Sequence, residues 1–150
     1  QLPFLSPSNG YIPQIQLATK ISDLLDWGAP AHAYFTASGS EANEAAMKFA
    51  VQAQQVLGRE GKYKVLGRRN AYHGSTIFTL SVGDMPERRK AYLPLLPDVL
   101  DNIEPVADCN CYHCPFNLEY PDCDLACAND LEKKILDQGA ESFFDIDPEM

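Results

Sequence analysis

Three short stretches carry residues whose types and spacing could do chemistry. The first, TASGSEANEAAMKFA at residues 36–50, opens with a turn of small residues and continues as a helical pattern. The second is the aromatic-His-Gly element Tyr72-His73-Gly74. The third is a group of five cysteines at Cys109, Cys111, Cys114, Cys123 and Cys127. The turn is a candidate anion site, and the cysteines are candidate metal ligands.

The turn at residues 36–40 has two interpretations. Ser38, with Glu41 three residues later, fits a capping box that only starts the following helix. Alternatively, the first helical amides bind a phosphate, because Gly39 lacks a Cβ that would block a ligand and Ser40 adds a hydroxyl donor. The two interpretations compete for the same amides, and Glu41 would repel a phosphate unless its side chain points away. The turn alone leaves both open.

The cysteines are a weaker zinc signal than their number suggests. Cys109-x-Cys111-x2-Cys114 is followed, after eight residues, by Cys123-x3-Cys127. A strong zinc pattern has two C-x2-C pairs with a longer spacer. Free or buried thiols are therefore favoured over a metal site at these five residues. His113 is a further candidate ligand, although an exposed loop histidine is the favoured interpretation.

The candidate anion turn lies between predicted elements of a βαβ unit. Residues 31–36 are short and apolar-aromatic and predict a buried strand, and residues 62–68 predict a second strand. Between them, residues 42–57 predict an amphipathic helix. Its inward face is predicted to hold Ala42, Ala45, Ala46, Phe49, Ala53, Val56 and Leu57. Strand, turn, helix and strand in this order indicate a parallel sheet, in which ligands sit at the carboxyl ends of the strands.

The remaining elements are less regular. Apolar spacing predicts a helix over 14–27 and a short helix over 130–138. Residues 70–83 remain ambiguous, because β-propensity favours a strand whereas Gly74-Ser75 could open a helix. Three prolines predict that residues 85–99 are mostly loop, and residues 143–146 predict a short strand.

Composition restricts the class of protein. The 150 residues suffice for one domain, and 45% hydrophobic with 22% charged residues is typical of a globular protein. A net charge of −9 disfavours nucleic acid as a partner. No apolar run is long enough to predict a membrane span, and the N-terminus lacks the pattern of a signal peptide. The absence of an initiator Met suggests that the chain starts inside a longer reading frame. Five cysteines, an odd number, favour free thiols in a reducing compartment, which we take to be the cytoplasm.

Four stretches together resemble the class III aminotransferases, the ω-aminotransferase branch of fold-type I pyridoxal-phosphate enzymes. They are FTASGSEANEAAMKFA, GKYKVLGRRNAYHGST, YLPLLPDV and CYHCPFNLEYPDCDLACANDLE, and the likeness covers most of residues 10–138 in the right order. The resemblance implies an α/β fold in which residues 1–150 form part of a large domain with a mostly parallel, three-layer sheet flanked by helices. Residues 1–13 are then a loop and residues 105–128 a Cys-rich insert.

The resemblance also implies a cofactor, pyridoxal 5'-phosphate, and residues that hold it. Gly39 and Ser40 would bind its phosphate through backbone amides and a hydroxyl, with Ser38 adjacent. Tyr72 would stack on the pyridine ring, because an aromatic face suits a flat, electron-poor ring, and His73 would pack beside it. Without the family, a Tyr-His pair is more often an ordinary core or surface feature.

The same resemblance implies transfer of an amino group from an amine or amino acid to a 2-oxo acid, in a homodimer. The family's Schiff-base lysine and pyridinium aspartate lie downstream of the matched region, and none of the seven lysines here stands in that context. We assign no catalytic residue, and we expect the chain by itself to be inactive. The match fades from about residue 141. The alternative is a non-catalytic remnant or a zinc-stabilised binding module that uses the Cys109–Cys127 cluster.

Overall fold

The structure, a computed structural model, describes residues 10–25, 28, 31–98 and 103–144. The regular secondary structure of these residues is mainly helical. The α-helices are α1 (Ile12–Leu25), α2 (Gly39–Val56), α3 (Ile77–Val82), α4 (Pro86–Arg89) and α5 (Ala126–Asp137). Short 3-10 helices span Leu93–Leu95 and Ala140–Ser142. None of the helices in these ranges has the length and apolarity needed to cross a membrane.

The chain divides into two compact units, Gln1–Phe35 and Thr36–Met150. The first unit contains α1, which confirms the helix predicted over 14–27, although it begins at Ile12, inside the predicted N-terminal loop. The rest of that loop, residues 1–9, lies outside the described residues. That residues 1–150 belong to one partial domain stays a prediction.

The strand predicted over 31–36 is wrong for the described chain. Residues 31–36 form no bridge with another described segment, and the side chain of Tyr34 is 67% exposed rather than buried. An apolar, aromatic run becomes a strand only when a partner strand accepts and donates its backbone hydrogen bonds. The pattern of residue types predicted the strand without identifying that partner.

Parallel pairing is present as isolated bridges. Lys64 pairs with Phe143, Arg68 with Val106, and Arg69 with Asp84, and all three bridges are parallel. They place the segment predicted as the second strand, 62–68, beside two other segments, and Arg69, directly after it, beside a third. Phe143, 4% exposed, also bears out the start of the strand predicted at 143–146, of which residues 145 and 146 lie outside the described part. The direction of pairing is that of the predicted parallel sheet.

Helix α2 is confirmed, but its predicted inward face is wrong. Phe49 is 51% and Val56 87% exposed, whereas the buried residue of the helix is Gln54. The helix instead turns toward α3 the face that carries Ser40 and Glu44, because hydrogen bonds from residues 72–76 reach those side chains. Polar contacts between segments, rather than apolar periodicity, set its rotation.

The ambiguous stretch 70–83 contains a helix, α3, at its end. Gly74 and Ser75 precede α3, which contains four buried residues, Thr79, Leu80, Ser81 and Val82, and Thr79 is fully buried. Residues 85–98 contain α4, the first 3-10 helix and turns. This segment is therefore more regular than the mostly loop structure that the prolines predicted. Helix α5 begins four residues earlier than predicted, at Ala126, and its buried Asp130 accepts a hydrogen bond of 2.8 Å from the amide of Ala107.

Candidate functional site

The turn before α2 is a helix cap. Ser38 has extended backbone angles (φ −151, ψ 161), and its Oγ accepts a hydrogen bond of 3.2 Å from the amide of Glu41. The Glu41 carboxylate folds back and accepts a bond of 2.8 Å from the amide of Ala37. Both partners of the predicted capping box are therefore engaged, and the Glu41 carboxylate is fixed at the Ala37 amide.

The cap and an anion site use different amides. The cap consumes the amide of Glu41, and that of Ala42 bonds to the carbonyl of Ser38 at 3.0 Å. Within the described chain, the amides of Gly39 and Ser40 have no hydrogen-bond acceptor. These are the first two amides of a helix of 18 residues, where the partial positive charge of the helix lies. The competition that the sequence suggested between the two interpretations does not arise.

The space beside these amides is open. A Cβ built on Gly39 would have no heavy atom within 4 Å, so a ligand atom can approach the backbone there. The hydroxyl of Ser40 accepts a bond of 3.1 Å from the amide of Ser75, which leaves its own proton free to be donated. Two amides and one hydroxyl are the donors that a phosphate group needs, so these residues fit one.

The segment from residue 72 to 76 is fastened to the first two turns of α2. The Asn43 side-chain amide donates to the His73 carbonyl at 2.5 Å, and the Thr76 hydroxyl donates to the Glu44 carboxylate at 2.6 Å. Gly74 has φ +144 and lies against Ser40, where a Cβ would come within 2.7 Å of the Ser40 hydroxyl oxygen. The glycine of the aromatic-His-Gly element is thus required by a close approach between two segments.

Tyr72 lies at the edge of an open cleft of about 540 Å³. Its side chain is 54% exposed, and the cleft wall includes Gly74 and Ser75 on one side and residues of α4 on the other. The guanidinium carbon of Arg88 lies 4.8 Å from the centre of the Tyr72 ring. Because Ser75 bonds to Ser40, the wall of this cleft is joined to the turn that carries the open amides.

His73 points into a different cavity. It lines a second space of about 540 Å³, together with Gly67, Val106, Cys109 and Cys127. Its Nε2 is buried and has no hydrogen-bond partner in the described part of the chain. The structure therefore brings Ser38, Gly39, Ser40 and Tyr72 together, and places the His73 backbone beside them while its ring faces away from the cleft that Tyr72 lines.

The cysteines do not form a metal centre. No group of three or more His, Cys, Asp or Glu side chains converges as metal ligands among the described residues, which include all five cysteines, and all five are free thiols. Cys109 and Cys127 instead approach each other: a side-chain hydrogen bond with Cys109, then burial, raise the pKa of Cys127. His113 is exposed and its amide bonds to Asn110, as expected for a loop histidine. The alternative of a zinc-stabilised module is not supported.

Sequence reasoning missed three residues of the site. In the sequence, Asn43 and Glu44 are polar helix residues without an evident role. They follow Ser40 by three and four residues, which places all three on one side of α2, and this spacing was the signal that could have identified them. Arg88 could not be found from the sequence, because its place over Tyr72 depends on how α4 folds back across residues 83–85.

Comparison with known proteins defines the class of this site. The model of the family "Aminotransferase class-III" matches residues 3–140. The chain belongs to this family, whose members are pyridoxal-phosphate-dependent enzymes of fold-type I.

Individual relatives agree with this assignment. The chain is 34% identical over 134 residues to the adenosylmethionine-8-amino-7-oxononanoate aminotransferase of Nitratidesulfovibrio vulgaris, covering 88% of this chain and 24% of that protein. It is 32% identical over 133 residues to the gamma aminobutyrate transaminase 2 of Solanum lycopersicum, covering 87% and 28%. The crystal structure of the omega transaminase from Pseudomonas jessenii in complex with PMP superposes with a TM-score of 0.75 at 31% identity, over 90% of this chain and 29% of that one. The chain spans about a quarter of the length of the curated relatives it matches.

Proposed function

We propose that this chain supplies the phosphate- and ring-binding part of a pyridoxal-5'-phosphate-dependent aminotransferase. The whole protein would transfer an amino group from a small amine or amino acid to a 2-oxo acid. Family membership supports the reaction class. The observation that carries the assignment is the pair of open amides at Gly39 and Ser40, next to a segment fastened to the same helix and carrying Tyr72.

Each residue of the turn has its own task. The amides of Gly39 and Ser40 and the hydroxyl of Ser40 bind the phosphate, since they are the donors left free by the cap. Ser38 holds the turn in shape through its bond to the Glu41 amide. The Glu41 carboxylate is occupied by the amide of Ala37 and does not use the amides of Gly39 and Ser40.

Tyr72 orients the cofactor ring. Its ring is accessible and lies on the Ser75 side of the cleft, so a ligand anchored at Ser40 by its phosphate can reach the aromatic face. The bonds from Asn43 to His73 and from Thr76 to Glu44 fix the distance between the phosphate anchor and the Tyr72 ring. His73 acts through its backbone, while its ring packs in the neighbouring cavity.

When bound, pyridoxal phosphate supplies the electron sink for amino-group transfer, and the protein supplies binding and orientation. We assign neither the Schiff-base lysine nor the pyridinium aspartate to this chain. We also propose that the whole protein is a homodimer, as the family resemblance implies, and that it works in the cytoplasm. The five free thiols support a reducing compartment.

The test is a titration of the full chain with pyridoxal phosphate, followed by cofactor absorbance and protein fluorescence. Gly39→Val fills the open space without touching any other residue, because no heavy atom lies within 4 Å of the new Cβ. Loss of charge-assisted bonds worth about 1.5–3 kcal/mol predicts an affinity about 10- to 150-fold weaker. Inorganic phosphate should compete with the cofactor in the unmodified chain and lose that ability in the variant.

The matched control is Gly61→Val, since Gly61 also has open space around it and lies in a loop beyond α2. It should leave the affinity unchanged. Equal cofactor affinity in Gly39→Val and the unmodified protein would remove the phosphate site from this turn. An adduct that borohydride reduces onto one of the seven lysines would overturn the assignment that none of them forms the Schiff base.

A further inference from the structure

Arg88 is the cation of the Tyr72 cleft. The wall of this cleft includes Tyr72, Gly74, Ser75, Glu87, Arg88 and Tyr92. The Arg88 side chain is exposed, and its guanidinium lies over the Tyr72 ring, 4.8 Å from the ring centre. It therefore projects a fixed positive charge into the same space where the proposed cofactor ring would stack.

Among the described residues, no carboxylate pairs with Arg88. The next residue, Arg89, is 14% exposed and pairs with Asp84 at 3.1 Å, which ties α4 to the segment before it. Arg69 also approaches Asp84, at 3.9 Å. Arg89 thus stabilises the fold through Asp84, whereas the Arg88 guanidinium lies over the Tyr72 ring beside an open cleft.

A guanidinium held on an aromatic face is suited to a carboxylate. Stacking leaves the N–H groups at its rim free, and their planar fork matches the two oxygens of a carboxylate. The rest of the protein repels anions, because its net charge is −9, so a local cation decides where an anion can bind. Glu87 on the same wall would repel a second negative charge, which favours a ligand with one carboxylate over a dicarboxylate.

We propose that Arg88 binds the carboxylate of a substrate that carries one such group, either an amino acid donor or a 2-oxo acid acceptor. This assignment rests on the proposed function, because it takes the Tyr72 cleft as the place where substrate meets cofactor. Arg88 is then a specificity-determining residue. The cofactor phosphate is the other anion near this cleft, but the open amides at Gly39 and Ser40 already supply its donors.

The experiment compares matched amines as donors for the whole cofactor-loaded protein, because we expect this chain by itself to be inactive. The probes are ω-amino acids of three to five carbons, each paired with the amine in which a methyl group replaces the carboxylate. For the best amino acid, Arg88→Gln should raise KM about 10- to 100-fold, as expected for loss of a charge-assisted pair, and leave kcat within about twofold. The KM of the methyl-terminated amine and the Kd of the cofactor should not change.

Two further variants sharpen the result. Arg88→Lys keeps the charge but loses the planar fork, so it should recover only part of the affinity for the amino acid. Lys90→Gln removes the same charge from an exposed position outside the cleft wall and should change neither KM. An equal rise in KM for both kinds of amine would overturn the proposal and make Arg88 a support for Tyr72. Weaker cofactor binding in Arg88→Gln would overturn it in favour of the phosphate.

A failure of the proposed function is distinguishable from a failure of this inference. If the full chain binds no cofactor, the proposed function is contradicted. NMR then tests by itself whether Arg88 binds a carboxylate. The probe is propionate, and the signal is the Arg88 Nε–H resonance. A saturable shift of that resonance, unaffected in Lys90→Gln, would support carboxylate binding, whereas no shift would overturn it.

Discussion

The start of α2 and the Cys-rich segment at 109–127 both carry residues that could do chemistry, yet only one is organised as a candidate site. At the start of α2, three hydrogen bonds join residues 30 or more positions apart: Asn43 to His73, Ser75 to Ser40, and Thr76 to Glu44. In the Cys-rich segment the loop bonds are local, such as Asn117 to Cys114 and His113 to Asn110, and the contact between Cys109 and Cys127 spans 18 positions. Polar groups become a binding site when bonds between distant segments fix their positions before a ligand arrives.

The largest expected effect comes from separating the two segments at the start of α2. Gly74→Ala places a Cβ 2.9 Å from the Thr79 Cβ and 2.7 Å from the Ser40 hydroxyl oxygen, at a backbone φ of +144. Overpacking and backbone strain each cost about 1–3 kcal/mol, so we expect the free energy of unfolding to fall by about 3 kcal/mol or more. Urea denaturation of the full chain measures this, and cofactor affinity should fall with it.

The control for this variant is Gly61→Ala, where the new Cβ meets no heavy atom within 4 Å. It should change the free energy of unfolding by about 0.5 kcal/mol at most. If Gly74→Ala unfolds at the same urea concentration as the control, the close approach of the two segments is not what holds the site together.

A smaller effect is expected where the Cys-rich segment is anchored. Asp130 is buried in α5 and accepts the amide of Ala107, just before the first cysteine. Asp130→Ala leaves that amide without its acceptor, at a cost of about 1.5–3 kcal/mol in the free energy of unfolding. Cofactor affinity should stay the same, because no hydrogen bond of the Ser40 region involves Asp130.

Asp130→Ala and Gly74→Ala should both lower the free energy of unfolding, but only Gly74→Ala should weaken cofactor binding. Asp122→Ala, at an exposed position within the Cys-rich segment, is the matched control and should be neutral. A loss of cofactor affinity in Asp130→Ala would mean that the two regions are energetically coupled.

The sequence predicted local features of both regions and missed their contacts. Helix α2 and its cap follow from Ser38 and Glu41, because a cap involves residues three apart. The burial of Gln54 and the exposure of Phe49 could not be predicted, since they depend on which face meets residues 72–76. Residues of the site that act through local chemistry were found, whereas Arg88 was not, because its role needs a tertiary contact.

The same limit applies to the cysteines. Their spacing left a metal site as the less favoured interpretation, and spacing does not say whether side chains converge on one point. In the structure only Cys109 and Cys127 influence each other, across 18 positions of sequence, and neither belongs to the other's C-x-C or C-x3-C pair. The pair is a tertiary feature that no zinc motif describes.

The smallest expected effect tests this pair. The side-chain hydrogen bond between Cys127 and Cys109 is the first cause that raises the pKa of Cys127, followed by burial. A raised pKa means less thiolate, the reactive form, at a given pH below it, so Cys127 should be alkylated more slowly than an ordinary thiol of equal exposure. Cys109→Ala removes the first cause, so the pH–rate profile of Cys127 with iodoacetamide, read by peptide mass spectrometry, should move to lower pH. Cys123→Ala, four residues away along the chain, should leave the profile in place. An unmoved profile in Cys109→Ala would show that the Cys109 side chain does not influence the reactivity of Cys127. The Cys-rich segment would then contain no interaction between distant cysteines that compares with the three bonds at the start of α2.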